Sequence, residues 1–206
     1  MTSYAFSGEG RTVDRDGVWT NGAMEGHWAT PDRYHYTFEI EEAGGRASGE
    51  EYRVGGKGAI YGIDDWRGSD FGRFAVEPPS SLIKPLIWPL EEPSLERARL
   101  DDGTDVYVVS ETFKSTSEPV PGQPVSVNEV GVTMAFDQGT LLIREKHERF
   151  AFTAYESAEA HAAGKAVYST WREQAFRFAD HNAPVNMELP DDFGRGRLPP
   201  TATPTP

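Results

Sequence analysis

Strict period-two alternation between short, regularly spaced turns constrains this chain more than any other feature. Arg33 to Glu42 is the cleanest case: Tyr34, Tyr36, Phe38 and Ile40 fall on one side, and Arg33, His35, Thr37 and Glu39 on the other. Successive side chains of a strand point to opposite faces, so this pattern predicts one strand with a buried face and a wet face. The same reading gives strands over 18–29, 50–54 and 57–63, separated by Gly44-Gly45 and Gly55-Gly56, and a short one over 71–76 after Trp66. Further on, 95–100 and 104–113 flank the turn Asp101-Asp102-Gly103, and 127–136 places Val130, Val132, Met134 and Phe136 on one face. Asp137-Gln138-Gly139 then leads into a long strand over 140–155. Its inward face is expected to switch near Arg149-Phe150, the mark of a bulge. A small-residue loop over 158–165 precedes a final strand over 166–180. The sum is a mainly β (α+β) chain of about ten antiparallel strands, a number at which open sheets curl.

One segment breaks the alternation. After Pro78-Pro79, the residues Leu82, Ile83, Leu86, Ile87 and Leu90 share a helical face, with Ser80 or Ser81 able to cap its start. Pro85 and Pro89 keep such a helix short. Its apolar run is far below the roughly 20 residues of a membrane span. The start, Met1-Thr2-Ser3-Tyr4, has neither the basic residues nor the apolar stretch of a secretion signal. The end is a different material: 191–206 is rich in Pro and Thr, favours extended polyproline II and reads as a disordered spacer after a domain over 1–190.

Composition narrows the function classes. The chain contains 11 Phe, 8 Tyr and 5 Trp, enough aromatic mass to build a core and to exclude wholesale disorder. Its net charge of −13 repels phosphate backbones, so no nucleic-acid partner is expected. With no cysteine, thiolate catalysis, disulfides and Cys-ligated metals are out of reach.

Catalytic motifs are missing from the places that suggest them. Gly55-Gly56-Lys57-Gly58 lacks both the first glycine and the Ser or Thr of a phosphate loop, and reads as a hairpin turn. Gly8-Glu9-Gly10 lacks the third glycine of a dinucleotide fingerprint and sits in a strand pattern. Asp14-Arg15-Asp16-Gly17 and Asp101-Asp102-Gly103 miss calcium-loop spacing and read as turns held by Asp side chains. The five histidines show no metal-ligand spacing, although His27 and His35 share the polar side of adjacent strands. The run Arg144-Glu145-Lys146-His147-Glu148-Arg149 reads as a solvated strand with cross-strand charge pairs. No metal, cofactor or catalytic residue is expected.

Several stretches resemble the bacterial lipoprotein-carrier superfamily (LolA/LolB-like proteins, including LppX-like lipoproteins). Gly26-His27-Trp28-Ala29-Thr30-Pro31-Asp32-Arg33-Tyr34 resembles the family's strand, P-x-R, strand hairpin. Val54-Gly55-Gly56-Lys57-Gly58-Ala59-Ile60-Tyr61 with Trp66 resembles its glycine turn followed by Tyr and Trp. Pro78-Pro79-Ser80-Ser81-Leu82-Ile83 looks like its proline-led plug helix. Gly103, Val106, Tyr107 and Val109 match its G-x-x-V-Y-x-V strand, and Phe136 to Arg144 is similar to its W-I-D-x-x-T-x-L-I-x-R hairpin, with Phe136 in place of Trp. Phe176 to Val185, running to Leu189-Pro190, resembles its closing F-x-F-x-x-x-N-x-P-V … P segment. Members usually open with a long helix, whereas this chain is strand-like from Tyr4, and Arg33 is the candidate for the carriers' essential arginine.

The resemblance implies an unclosed antiparallel half-barrel with a short plug helix on its concave face, exported from the cytoplasm and carrying a lipid or the acyl chain of a lipoprotein. The expected ligand-binding residues are Tyr34, Tyr36, Phe38, Ile40, Leu82, Ile83, Leu86, Ile87, Val130, Val132, Met134 and Phe136. Export favours a periplasmic or surface location, with the membrane surface or a surface protein as further partners and an anchor or neighbouring domain beyond the spacer. The alternative is an interaction or sensor module on the same scaffold, its cavity filled by its own side chains and its outer face or edges binding proteins.

Overall fold

The computed structural model describes residues 3–29, 33–42, 44–54, 57–61, 92–117 and 124–187. Ten strands form one antiparallel sheet: β1 (Ser3–Val13), β2 (Trp19–Ala29), β3 (Arg33–Glu42), β4 (Gly45–Val54), β5 (Lys57–Tyr61), β6 (Ser94–Arg99), β7 (Asp105–Thr116), β8 (Val125–Asp137), β9 (Ile143–Tyr155) and β10 (Ala166–Ala179). Their spatial order is β5-β4-β3-β2-β1-β10-β9-β8-β7-β6, open at both ends, so the sheet is half-barrel-like rather than closed. Two meanders therefore meet where the first strand pairs with the last, from Ala5 opposite Ala179 to Val13 opposite Trp171. Because β5 and β6 lie on opposite edges, the chain between Tyr61 and Ser94 links one edge of the sheet to the other. The expected strand at 71–76, the expected helix with Leu82, Ile83, Leu86 and Ile87, and the Pro/Thr spacer lie outside the described residues.

Alternation sorts the two faces as the sequence predicts. Along β3 every even residue from Tyr34 to Ile40 is buried, while His35, Thr37 and Glu39 reach solvent. One apolar cluster runs across the core face: Tyr4 and Phe6 from β1, Met24 from β2, the β3 residues, Phe176 and Phe178 from β10, Ile143 from β9, and Val132 and Met134 from β8. Glycines on this same face admit a ring at one position and a neighbouring backbone at another. Gly8 pairs with Phe176, and a Cβ at Gly8 would stand 2.3 Å from the Phe176 ring. Gly26 pairs with Tyr36, and a Cβ there would meet the His35 carbonyl oxygen at 2.2 Å. The β2–β3 contact is therefore closer than any side-chain-bearing residue at Gly26 permits.

The edges differ from the centre. All six residues of β6 are exposed, and Glu96, Arg97 and Arg99 line it with charge, which blunts pairing with another chain.

Turns close as their acidic residues suggest. The Asp14 carboxylate accepts from the backbone N–H of Asp16 and Val18, both at 2.9 Å, and Gly17 takes the left-handed conformation. The Asp102 carboxylate likewise accepts from Thr104 N–H at 2.9 Å. These Asx turns are what the sequence predicts in place of calcium loops. After β8, the Asp137 carboxylate takes the N–H groups of Gly139 and Thr140 and the Thr140 hydroxyl, so β9 starts at Ile143 rather than at residue 140.

Two expectations are corrected. Residues 158–165 are not wholly loop: Ala158–Ala162 forms a one-turn helix, α1, capped by the Ser157 hydroxyl accepting from Ala160 N–H. The β9 irregularity is not at Arg149-Phe150, because β8 and β9 pair in unbroken register from Val125–Tyr155 to Ala135–Glu145. The slip comes next, where Phe136 pairs with Ile143 and leaves Arg144 unmatched. Lys146 and Glu148 point inward with Phe150, and charge at inward positions imitates a change of face.

Gly26→Ala is expected to cost on the order of 1–3 kcal/mol, because the clash is with backbone that cannot rotate away. Gly131→Ala, whose Cβ would meet only Thr112 Oγ1 at 3.7 Å, is expected to be neutral or mildly stabilising. Denaturation midpoints of the two variants check this, and equal midpoints would contradict it. The hydrogen bonds from Thr140 hold the Asp137 carboxyl below its ordinary value of 3.8. A depressed carboxylate adds stability above the unfolded value that is lost as pH falls through the folded one. Stability is expected to drop below about pH 4, and Asp137→Asn to flatten that part of the curve in melts taken between pH 2 and 6.

Candidate functional site

The core face brings together the predicted ligand-binding residues that are described. Tyr34, Tyr36, Phe38 and Ile40 are buried side by side on β3, and Val132 and Met134 are buried on β8. Val130 and Phe136 pack against the same cluster from partly buried positions. The β3 and β8 groups are bridged through β2, β1, β10 and β9 rather than adjacent. Ring contacts knit the β1–β3 end: Tyr4 stacks on Trp28 at 5.2 Å, meets Phe178 edge-on at 5.5 Å, and Tyr34 stacks on Tyr36 at 5.7 Å. Burial pushes the Tyr4 phenol well above its ordinary pKa, so it stays protonated.

The face is less tightly covered toward the far end of β8–β10. There Phe150 lies between Val130 and Arg172 in register and is 37% exposed. Phe152 and Tyr168 follow at 5.8 Å between rings, both partly buried. The apolar surface thus grades from sealed at Tyr34 to open at Phe150.

Charged residues on this face escaped the sequence reading: the register puts Glu111 opposite Val132 and Arg172 opposite Phe150, and Glu51, Lys146 and Glu148 make contacts within it. Glu51 of β4 is buried and accepts hydrogen bonds from Tyr34 OH, at 3.1 Å, and from Tyr36 OH. Lys146 of β9 has a side chain only 3% exposed, between Phe176 and Met134 in register. Its ammonium pairs with the Glu148 carboxylate at 2.8 Å, two residues along the same face. The solvated-strand reading of 144–149 therefore holds only for the other parity: His147 meets Glu173 at 2.9 Å, and Arg177 meets Glu145 at 3.5 Å, on the outer face. Counting back by twos from Phe152 and Phe150 is the signal that places Glu148 and Lys146 inward.

The outer face is polar and ion-paired. His27 and His35 stand directly opposite each other, as their strand positions imply. His35 also contacts the Glu50 carboxylate at 3.1 Å and stacks on Tyr52 at 4.1 Å. Burial, then the neighbouring Glu50 charge, pushes the Tyr52 phenol up. A row of small residues, including Ala5, Ser7, Ala23 and Ala175, floors shallow open depressions of about 540, 480 and 430 Å3. Their walls are largely paired already, Glu39 with Arg46 and His147 with Glu173. Arg33 lies outside the core face, its guanidinium 3.5 Å from the Met187 carbonyl. Among the described residues, no three metal-ligating side chains converge, and no helix is long and apolar enough to cross a membrane.

No protein-family model matches the chain, and no curated protein matches it in sequence.

Tyr36→Phe deletes one donor to a buried carboxylate and keeps the ring, so it is expected to cost about 1–3 kcal/mol. Tyr52→Phe, on the outer face, is expected to cost less than about 1 kcal/mol. Urea denaturation of both variants checks this, and an equal loss would mean the Glu51 contact does not brace the core.

Proposed function

We propose that this chain is a non-enzymatic binding protein that holds an acyl chain, of a lipid or of a lipoprotein, against the core face of its open sheet. The observation that carries this reading is the continuity of that face. A single apolar cluster reaches from β3 to β8 and loosens toward Phe150, while the opposite face is charged and ion-paired. A continuous apolar wall of this width suits a flexible hydrocarbon, for which each buried methylene contributes about 0.8 kcal/mol. In sequence, Leu82, Ile83, Leu86 and Ile87 add further apolar residues, outside the described ones. The LolA/LppX-like stretches point the same way and extend the proposal to a location outside the cytoplasm.

A second reading, a surface interaction module, draws on the outer face, where Trp19, Val13 and Trp171 form a cross-strand row beside the small-residue depressions. Under that reading the core face is filled by the protein itself and takes no ligand.

Nile red, a neutral apolar dye whose emission rises on leaving water, separates the two. The carrier reading predicts saturable dye binding that 1-monooleoylglycerol displaces. Val130→Trp, which adds bulk at a partly buried core-face position, is expected to weaken dye binding at least tenfold with its fold intact by circular dichroism. Thr37→Ala, on the outer face, is expected to leave binding unchanged. Absent dye binding, or equal effects of both variants, would overturn the proposal.

A further inference from the structure

The polar groups buried in the core face are unevenly used, and that asymmetry bears on the ligand's head. An ammonium carries three N–H donors, yet among the described residues Lys146 has a single partner, Glu148. The Trp28 indole N–H, at the other end of the same face, is buried with no acceptor among the described residues. The acceptors are better placed: Glu51 takes two phenol hydroxyls, and Glu148, 21% exposed, reaches water. One buried acceptor is also unpartnered among the described residues, His181 Nδ1, whose ring donates through Nε2 to the Ile143 carbonyl. Beside Lys146, however, the spare capacity is donor capacity, and a buried donor without an acceptor is costly enough to select for a ligand that supplies one. Charge adds a second constraint. Glu148 pairs with Lys146, and the register adds one acid, Glu111 opposite Val132, and one base, Arg172 opposite Phe150, so a ligand carboxylate would meet balanced charge and gain little net attraction.

Resting on the acyl-chain reading above, we infer that Lys146 and Glu148 form a head-group site that takes the uncharged carbonyl oxygen of an acyl ester or amide in preference to a free carboxylate. The ammonium donates its spare N–H to that carbonyl. Glu148 holds the ammonium in place and keeps the site neutral. The pair is then a selectivity device rather than a stabilising one, consistent with the small or negative net contribution of buried ion pairs compared with apolar replacements.

Displacement of Nile red by 1-monooleoylglycerol and by oleate, at pH 8 and below their aggregation concentrations, tests this. The wild-type protein is expected to take the ester at a concentration at least tenfold lower than oleate. Glu148→Gln uncovers the Lys146 charge and is expected to erase or reverse that preference. Because a lone buried charge can prevent folding, Lys146→Met/Glu148→Leu is measured beside it. That variant removes both charges, is expected to fold, and should bind the two ligands within about threefold of each other once the carbonyl donor is gone. Dye displacement by neither ligand in wild type would sink the acyl-chain reading itself. Displacement by both with equal potency in wild type, or an ester preference that survives in the double variant, would overturn this inference alone.

Discussion

Close approach at two glycines on one face of the sheet, a ring over Gly8 and backbone against Gly26, is the contact on which the rest of the structure depends. Phe176 occupies the space left at Gly8, and the chain packs so closely at Gly26 and Tyr36 that a single methyl group would strike backbone. These contacts sit around the β10–β1–β2–β3 seam, where the two meanders are joined. A ring over a glycine buries a large apolar area against bare backbone, and it lets neighbouring strands turn sharply relative to each other. Without that seam there are two separate five-stranded meanders, each with an apolar face and nothing continuous to place it against.

Much of this was legible in the sequence, for a physical reason. A strand that is buried on one side must alternate, and β3 does so without exception, so its four inward residues can be read off directly. Turns were legible because Asp and Gly have specific backbone uses, seen at Asp14, Gly17 and Asp102. What the pattern hid was charge placed inward. Lys146 and Glu148 follow the correct parity, but their chemistry argues for solvent, so parity and chemistry disagree and a bulge looked like the resolution. Glu51 was hidden for the same reason, and its stabilising phenols come from another strand. One-turn α1 was hidden because five small and polar residues carry little periodicity.

The two faces present opposite solutions to the same charge content. Outside, Glu39–Arg46, His147–Glu173 and Glu145–Arg177 are exposed pairs that contribute little to stability. Inside, Glu51 and Lys146 are expensive to bury and are retained at defined points of an otherwise apolar wall. The proposed acyl-binding role would account for both the width of that wall and its isolated polar points. A core built for stability alone has no need of either charge.

Native mass spectrometry of the protein, purified without detergent from a bacterial host, tests the central claim most directly. The account predicts a stoichiometric adduct whose mass, after solvent extraction, belongs to an acyl-bearing molecule, and which excess 1-monooleoylglycerol replaces. A homogeneous ligand-free mass that acquires no adduct on incubation with 1-monooleoylglycerol would contradict it, leaving the core face as an internal packing surface.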